Sequence, residues 1–176
     1  IVVTGCLPEK YIGELFTSLT EGDVFLVCND ADKLIEAIEL SYEQGRVDMV
    51  HKGHESEGGR TLTTPLHYAY LKIADGCNNH CTYCLIPKIR GKYRSYPLEK
   101  LVAEAESLGD LSELILVAQD TTRYGEDLYG ENKFVELIRR LSALENIGSI
   151  RLLYCYPDVI GEELIEEIAA NPKVVK

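Results

Sequence analysis

Residues 113–118 read ELILVA, a run that is apolar at every position after the first. An apolar run without alternation indicates a strand covered on both faces, which is typical of parallel sheets whose strands are joined by helices. The segment before it has apolar residues at helical spacing: Leu98, Leu101, Val102, Ala105 and Leu108. The segment after it shows the same spacing: Phe134, Leu137, Ile138 and Leu141. The sequence therefore predicts a helix–strand–helix unit of an α/β protein.

The same alternation extends in both directions along the chain. LHYAYLKIA at 66–74 and SIRLLYCY at 149–156 predict strands, a helix is expected around Leu164 and Ile168, and KVVK at 173–176 begins a further strand. Three β/α units and the start of a fourth strand predict the first half of a partial (β/α) barrel of the TIM type. Such barrels carry their chemistry at the carboxyl ends of the strands. Because the last strand is only begun, we expect the chain to stop partway through the barrel.

Residues 1–60 predict a separate, smaller parallel α/β domain. IVVTGCL at 1–7 and VFLVC at 24–28 predict its strands. Apolar residues at helical spacing follow each strand. They are Ile12, Leu15, Phe16 and Leu19 after the first strand, and Leu34, Ile35, Ile38 and Tyr42 after the second. The polar, glycine-rich segment 45–65 is the predicted linker, with the domain boundary after residue 60. The chain begins without an initiator methionine, so we expect natural sequence upstream.

The net charge of the chain is −11, from 29 acidic and 18 basic residues. A field of this sign repels phosphate backbones, which argues against tight nucleic-acid binding by this segment and favours a basic protein partner. No apolar run has the length of a membrane span and no leader precedes the first residues, so we expect no membrane association. Six cysteines without a secretory signal indicate a reducing cytoplasm, where ligand or core roles are favoured over disulfides.

Three cysteines lie inside the segment DGCNNHCTYCLIP, at residues 75–87. Cys77, Cys81 and Cys84 have the spacing C-x3-C-x2-C. The compartment disfavours a disulfide, and a redox pair at Cys81 and Cys84 would leave Cys77 unused. Two kinds of metal site remain: a structural zinc with His80 as fourth ligand, and an iron–sulfur cluster with one iron open to another molecule. The cluster hypothesis explains why the pattern stops at three cysteines.

An open iron at the mouth of a β/α barrel is the arrangement of the radical S-adenosylmethionine (SAM) enzymes. The sequence resembles that superfamily by its cysteine spacing and by Tyr83, an aromatic residue before the third cysteine. The resemblance implies that Cys77, Cys81 and Cys84 bind a [4Fe-4S] cluster whose open iron holds SAM. It also implies reductive cleavage of SAM to a 5′-deoxyadenosyl radical, which needs no acid–base pair, so no residue is predicted to be catalytic. Tyr83 is predicted to contact the cluster or the adenine, with ordinary packing as the alternative.

Three longer segments resemble the methylthiotransferases within that superfamily: residues 64–95, LVAQDTTRYGEDLYG at 116–130 and RLLYCYPD at 151–158. The resemblance is to the RimO-type branch, which implies β-methylthiolation of an aspartate in ribosomal protein S-twelve, with an electron donor such as a flavodoxin or ferredoxin. The rival within the family is the MiaB-type branch, which modifies an adenosine of tRNA. The rival outside the family is a non-enzymatic zinc module. The sequence departs from the family at Tyr96, where an arginine is usual.

The resemblance also assigns domains and single residues. Residues 1–60 are similar to the C-terminal part of the family's N-terminal domain, and residues 61–176 to the first half of the radical SAM barrel domain. Cys6 matches the third cysteine ligand of a second [4Fe-4S] cluster, and the other two would lie upstream. Gln119 and Asp120 end the second barrel strand, where the family contacts the methionine part of SAM. Capping of the following loop is the alternative for both.

Three further residues have ordinary interpretations. Cys28 and Cys155 lie in predicted strands and are interpreted as core residues. Arg151 opens an apolar strand and is either a cation that lines the barrel or a surface charge. The sequence leaves the role of Arg151 open.

Overall fold

The computed structural model describes residues 1–27, 30–50 and 62–176. The chain divides into two compact units, Ile1–Thr61 and Leu62–Lys176. Cys28 and part of the predicted linker lie outside the described residues. In the described part of the chain, no helix combines the length and the apolar character needed to span a bilayer.

The first unit contains a parallel sheet and two longer helices within its described residues. The strands lie side by side in chain order: β1 (Val2–Thr4), β2 (Val24–Leu26) and β3 (Val47–Asp48). The helices follow the first two strands: α1 (Cys6–Ser18) and α2 (Leu34–Gln44). Val24, Leu26 and Ala37 form a small core, against which Leu34 and Met49 pack. The prediction of two β/α units is therefore confirmed.

Two details of the first unit differ from the predictions. The linker does not begin at residue 45, because β3 pairs with β2. A two-residue strand has no periodicity that would reveal it in the sequence. The prediction that α2 buries Ile35 and Tyr42 is wrong, because both side chains are exposed. The buried residue of this helix is Ala37.

The second unit, whose residues 62–176 are all described, has five strands: β4 (Tyr68–Lys72), β5 (Ala74–Asp75), β6 (Arg94–Ser95), β7 (Leu111–Val117) and β8 (Ile147–Leu152). Its helices are α3 (Ile86–Ile89), α4 (Leu98–Ser107), α5 (Glu126–Tyr129), α6 (Phe134–Ser142) and α7 (Glu162–Ala170). Strands β4, β7 and β8 form a parallel sheet with β7 in the middle. Strand β5 pairs antiparallel with β6.

Strand β7 contains most of the ELILVA run and is covered as predicted. Leu114, Ile115 and Leu116 are all buried, so the strand has no solvent-facing side at its centre. The predicted faces of the two flanking helices pack into the same core: Leu98, Leu101, Val102 and Ala105 from α4, and Phe134, Leu137, Ile138 and Leu141 from α6. Burial of a large aliphatic side chain contributes about 1.5–3 kcal/mol each. This core fixes the sheet that carries the site.

A further strand begins after α7, as the sequence predicts. Val174 forms a parallel bridge with Ile150 of β8. The predicted parallel α/β architecture is thereby confirmed. The third barrel strand was expected to extend to Tyr156, but β8 ends at Leu152. The prediction is therefore wrong at the C-terminal end of this strand. Tyr154 adopts a left-handed backbone conformation, with φ of 61°, which takes the chain out of the sheet.

Candidate functional site

A cavity of about 660 Å³ lies at the carboxyl ends of β4, β7 and β8. Its wall is formed by the last residue of β4, the loop after β5, and the residues that follow β7 and β8. Sites for small molecules usually have volumes of about 300–1,000 Å³. The cavity therefore has the size of a ligand site and lies at the end of the sheet where β/α barrels bind ligands.

The cysteine loop, residues 76–85, begins at a position that requires glycine. Gly76 has φ of 73°, and a Cβ atom there would lie 2.2 Å from the carbonyl oxygen of Lys92. The amide of Cys77 donates a hydrogen bond to the carbonyl of Gly91 at 3.2 Å. The start of the loop is therefore held tightly against the segment that precedes β6.

Hydrogen bonds within the loop turn its three cysteines toward one space. The amide of Asn79 donates to the sulfur of Cys77 at 3.4 Å, and the amide of Cys84 donates to the carbonyl of Cys81 at 3.0 Å. Cys77 is buried, whereas Cys81 and Cys84 are half-buried. All three line the cavity.

The cluster and the zinc hypotheses require different arrangements of the three thiols. Within the described residues, no three His, Cys, Asp or Glu side chains come together closely enough to share one ion. His80, the alternative fourth ligand for zinc, is exposed and does not line the cavity. In a [4Fe-4S] cluster each cysteine binds a different iron, so the sulfurs surround a space and need not meet at one point. The five described cysteines form no disulfide.

Three tyrosines stand around the cavity. Tyr83 is 89% exposed and lines it, as do Tyr154 and Tyr156. The neighbouring Cys81 and the charge of Asp158 raise the pKa of Tyr156 above its ordinary value. Sequence reasoning missed Tyr154 and Tyr156 as site residues, because the apolar pattern placed both inside a strand. The available signal was the motif RLLYCYP in which they lie.

Gln119 follows β7 and lines the cavity. Its Oε1 atom is buried and accepts no hydrogen bond from any described residue. A buried acceptor without a partner costs free energy, which a ligand that donates a hydrogen bond would recover. The predicted contact between Gln119 and SAM is compatible with this position.

Asp120 lies behind the wall of the cavity, with 1% of its surface exposed. Its Oδ1 accepts hydrogen bonds from the Thr122 amide at 3.1 Å and the Thr122 hydroxyl at 2.5 Å. Its Oδ2 accepts one from the Asn79 side chain at 3.1 Å and lies 3.5 Å from Nε of Arg123. The Tyr93 hydroxyl donates to the Asp120 carbonyl at 2.8 Å. These bonds join the cysteine loop to the end of β7, and the predicted contact of Asp120 with SAM stays a prediction.

A buried carboxylate joins two cations beside the cysteine loop. Asp75 Oδ2 accepts from Lys72 Nζ at 2.8 Å, while Oδ1 accepts from Arg90 at 3.3 Å and from the Gly76 amide at 2.9 Å. Burial alone would raise the pKa of Asp75, but the hydrogen bond and charge of Lys72, the Gly76 amide and the charge of Arg90 hold it below its ordinary value. The ammonium of Lys72 also lies 5.8 Å from the centroid of the Tyr96 ring. Sequence reasoning missed this group, whose only local signal is the spacing of Lys72 and Asp75.

The remaining predicted residues have simpler surroundings. Cys6 is the first residue of α1, separated from β1 by Gly5, and is half-buried in the first unit. Cys155 packs against the core of the second unit, with its sulfur 3.5 Å from the Thr121 hydroxyl. Arg151 is exposed and donates to Glu113 at 2.9 Å, so it is the surface charge of the two alternatives.

Comparison with known protein families shows to which superfamily the chain belongs. Residues 71–175 match the Radical SAM superfamily, and the chain belongs to that superfamily. The superfamily implies a [4Fe-4S] cluster and SAM as cofactors, which agrees with three cysteines around one cavity. The resemblance predicted from the cysteine spacing is confirmed.

The similarity extends beyond the superfamily to particular proteins. The chain is 53% identical, over 181 aligned positions, to the ribosomal protein uS12 methylthiotransferase RimO of Clostridium tetani. It is 51% identical to the proteins of the same name from Clostridium botulinum (strain Hall) and Clostridium kluyveri. These alignments cover 99–100% of this chain and 40–41% of each relative. The chain therefore spans about two fifths of the length of the curated relatives that it matches.

Proposed function

We propose that the protein containing this chain is a radical SAM methylthiotransferase that modifies an aspartate of ribosomal protein S-twelve. The observation that carries this proposal is the three-cysteine cavity, found in a chain that is 53% identical along its whole length to a uS12 methylthiotransferase. The product is β-methylthioaspartate. The net charge of −11 suits a basic ribosomal protein as the substrate.

Residues of the chain hold the cofactors in place. Cys77, Cys81 and Cys84 would hold the [4Fe-4S] cluster, and SAM would bind beside it in the same cavity. Together these cofactors supply the carbon-centred radical that removes a hydrogen from the substrate. Gln119 Oε1, which has no hydrogen-bond partner among the described residues, would accept a hydrogen bond from the methionine part of SAM, and the exposed ring of Tyr83 would cover the cofactors at the mouth of the cavity. Such covering keeps water and competing donors away from a reactive species.

The domain assignment belongs to the same proposal. Residues 1–60 form the C-terminal part of the N-terminal domain, and residues 61–176 the first half of the barrel domain. Cys6 is one of three ligands of a second [4Fe-4S] cluster, whose other two ligands lie outside this chain. The enzyme works in the cytoplasm, where a flavodoxin or ferredoxin supplies electrons.

The test uses the full-length protein, reconstituted anaerobically with iron and sulfide. We expect a brown protein that, with SAM and a reductant, adds one methylthio group to ribosomal protein S-twelve, detected by mass spectrometry. Cys84→Ala should lose the iron of this cluster and all activity. Cys155→Ala is the matched control, because Cys155 does not line the cavity and should keep both.

Two results would contradict the proposal. A colourless protein that retains zinc would show that the cysteines form a zinc module. Modification of tRNA, with no change in the ribosomal protein, would show that the chain belongs to the MiaB-type branch. Steep loss of tRNA binding with added salt would accompany the second result.

A further inference from the structure

A group of cations follows the cysteine loop in a chain that is acidic as a whole. Residues 76–98 contain no Asp or Glu, although the chain has 29 of them and a net charge of −11. Residues 88–94, KIRGKYR, are here called the basic segment, and their cations are Lys88, Arg90, Lys92 and Arg94. A local field of this sign attracts an acidic partner to one place on a surface that elsewhere repels it.

Three of these cations have no carboxylate partner. Among the residues that the structure describes, none forms an ion pair with Lys88, Lys92 or Arg94. Asp127 accepts hydrogen bonds from the amide and the hydroxyl of Ser95, and not from Arg94. Every other arginine of residues 62–176 is paired with a carboxylate, namely Arg90, Arg123, Arg139, Arg140 and Arg151. The three unpaired charges are therefore available to an anionic partner.

The unpaired cations differ in exposure. Lys88 and Lys92 are exposed, whereas Arg94 is half-buried. The Nε atom of Arg94 is buried and donates no hydrogen bond to any described residue. A cation that is partly removed from water costs free energy, which an anion at its outer end would recover. Arg94 thus favours contact with an anionic partner over solvation alone.

The backbone of the basic segment lies against the start of the cysteine loop. The carbonyl of Gly91 accepts a hydrogen bond from the Cys77 amide at 3.2 Å. The carbonyl of Lys92 lies so close to Gly76 that a Cβ atom there would be 2.2 Å from its oxygen. Cys77 is buried and lines the cavity. A partner on the basic segment is therefore separated from a proposed cluster ligand by one backbone contact.

The unpaired cations lie outside the cavity. Ile86 and Arg90, four residues apart at the ends of the short helix α3, both line it. Lys88 lies between them, and residues two positions apart do not share a helix face. Within the described part of the chain, Lys88, Lys92 and Arg94 do not belong to the cavity wall. A partner bound to these charges would leave the ligand site free.

We propose that the basic segment is the docking surface of an acidic one-electron carrier protein, which reduces the cluster held beside it. This role rests on the proposed function, since reductive cleavage of SAM consumes one electron. The carrier is oxidised by one electron, which the cluster accepts. A chain with a net charge of −11 repels an acidic carrier except where its cations are unpaired, and that place contacts Cys77. Charge complementarity of this kind acts mainly on the rate of association.

The experiment mixes the reconstituted full-length protein, with its cluster oxidised, with an acidic flavodoxin or an acidic ferredoxin in the reduced state. Bleaching of the cluster's visible absorption in an anaerobic stopped-flow instrument gives the second-order rate of reduction. Lys92→Glu should lower this rate by about 10-fold or more at low salt, because the reversed charge removes the attraction. Added salt should slow the wild-type protein steeply and the variant only slightly. Lys88→Glu should show the same effect from the second exposed position.

Lys100→Glu is the matched control. Lys100 lies on α4, is exposed and, like Lys92, pairs with no carboxylate of the described residues. The control carries the same change of charge outside the basic segment and should be reduced at the wild-type rate. Dithionite, a small reductant that needs no docking surface, should reduce all of these proteins equally, which would show that the variants keep their cluster.

The outcomes decide the proposal in either direction. Equal rates for Lys92→Glu and Lys100→Glu, or a wild-type rate that salt leaves unchanged, overturns it. Loss of RNA binding by Lys92→Glu, with unchanged reduction by both carriers, overturns it in favour of a nucleic-acid contact. A colourless protein contradicts the proposed function instead, and calorimetry of carrier binding then decides the surface alone. Binding that Lys92→Glu loses supports the surface, and no binding by the wild-type protein overturns it.

Discussion

The buried carboxylate of Asp120 accepts hydrogen bonds from side chains and a backbone amide nearby. A buried charge is stable only when its oxygens are paired, and here Thr122 and Asn79 donate hydrogen bonds while Arg123 supplies an ion pair. Asn79 lies 41 positions away along the chain. We therefore expect Asp120 to act as a positioning residue, since it connects the cysteine loop with β7 from behind the cavity wall.

Replacement of this carboxylate should loosen the cysteine loop before any cofactor is bound. Asp120→Asn should lower the free energy of unfolding of the apo protein by about 1–3 kcal/mol, because it leaves a buried donor unsatisfied. The reconstituted variant should also lose iron faster on desalting. Urea unfolding and an iron assay measure the two effects, and Asp110→Asn, at an exposed position before β7, is the control.

Asn79→Ala supplies the internal check on this link. If Asp120 acts through Asn79, the double variant should lose less stability than the sum of the two single variants. Fully additive losses would show that the two residues act separately. A variant with unchanged apo stability but weaker SAM binding would instead support direct contact between Asp120 and the cofactor.

Gly76 and Gly91 allow backbone strain to be separated from steric clash. Both have φ near 75°, but a Cβ at Gly76 would meet the Lys92 carbonyl, whereas one at Gly91 would meet nothing within 4 Å. Gly91→Ala should cost about 1–2 kcal/mol from the left-handed backbone alone. Gly76→Ala should cost clearly more and should prevent cluster assembly, as measured by urea unfolding and iron content. Equal costs would show that the close contact with Lys92 is unimportant.

At the scale of elements, helices α6 and α7 are joined by a small polar network. Arg139 on α6 donates to Glu167 on α7 at 2.7 Å, and Asn171 after α7 donates to both Glu167 and Ser142. The Glu167 side chain is largely buried, whereas that of Arg139 is exposed. Burial by itself would raise the pKa of Glu167, but the Asn171 hydrogen bond and the bond and charge of Arg139 bring it below 4.5. The network therefore joins α7 to α6 and is strongest while Glu167 is ionised.

The stability that Glu167 contributes should depend on pH in a defined direction. A carboxylate whose folded-state pKa is lowered stabilises the fold above its unfolded pKa, near 4.5, and loses that contribution as the pH falls through the lower folded value. Glu167→Gln should therefore unfold at lower urea than wild type at pH 7, and the difference should shrink at about pH 4 and below. Glu166→Gln, at the exposed neighbouring position, should show no such trend. A difference that is constant with pH would show that the charge is unimportant.

At the scale of the whole molecule, local patterns account for the architecture and long-range contacts account for the site. The burial of Leu114 to Leu116 and the spacing of the three cysteines follow from neighbouring residues, so the β/α alternation and the cysteine loop could be predicted. The bonds from Asp120 to Asn79 and from Arg90 to Asp75 join residues 41 and 15 positions apart, which no periodicity encodes. Backbone strain at Tyr154 likewise has no signature in an apolar pattern.

The tyrosines around the cavity provide a fluorescence signal that should report on ligand binding. The chain contains 11 tyrosines and no tryptophan, so tyrosine dominates its ultraviolet emission. Tyr83, Tyr154 and Tyr156 stand at the cavity wall, where a bound chromophore that absorbs near-ultraviolet light would take up their excitation. Occupancy of the cavity can thus be followed in this chain as quenching of its own fluorescence, without an added label.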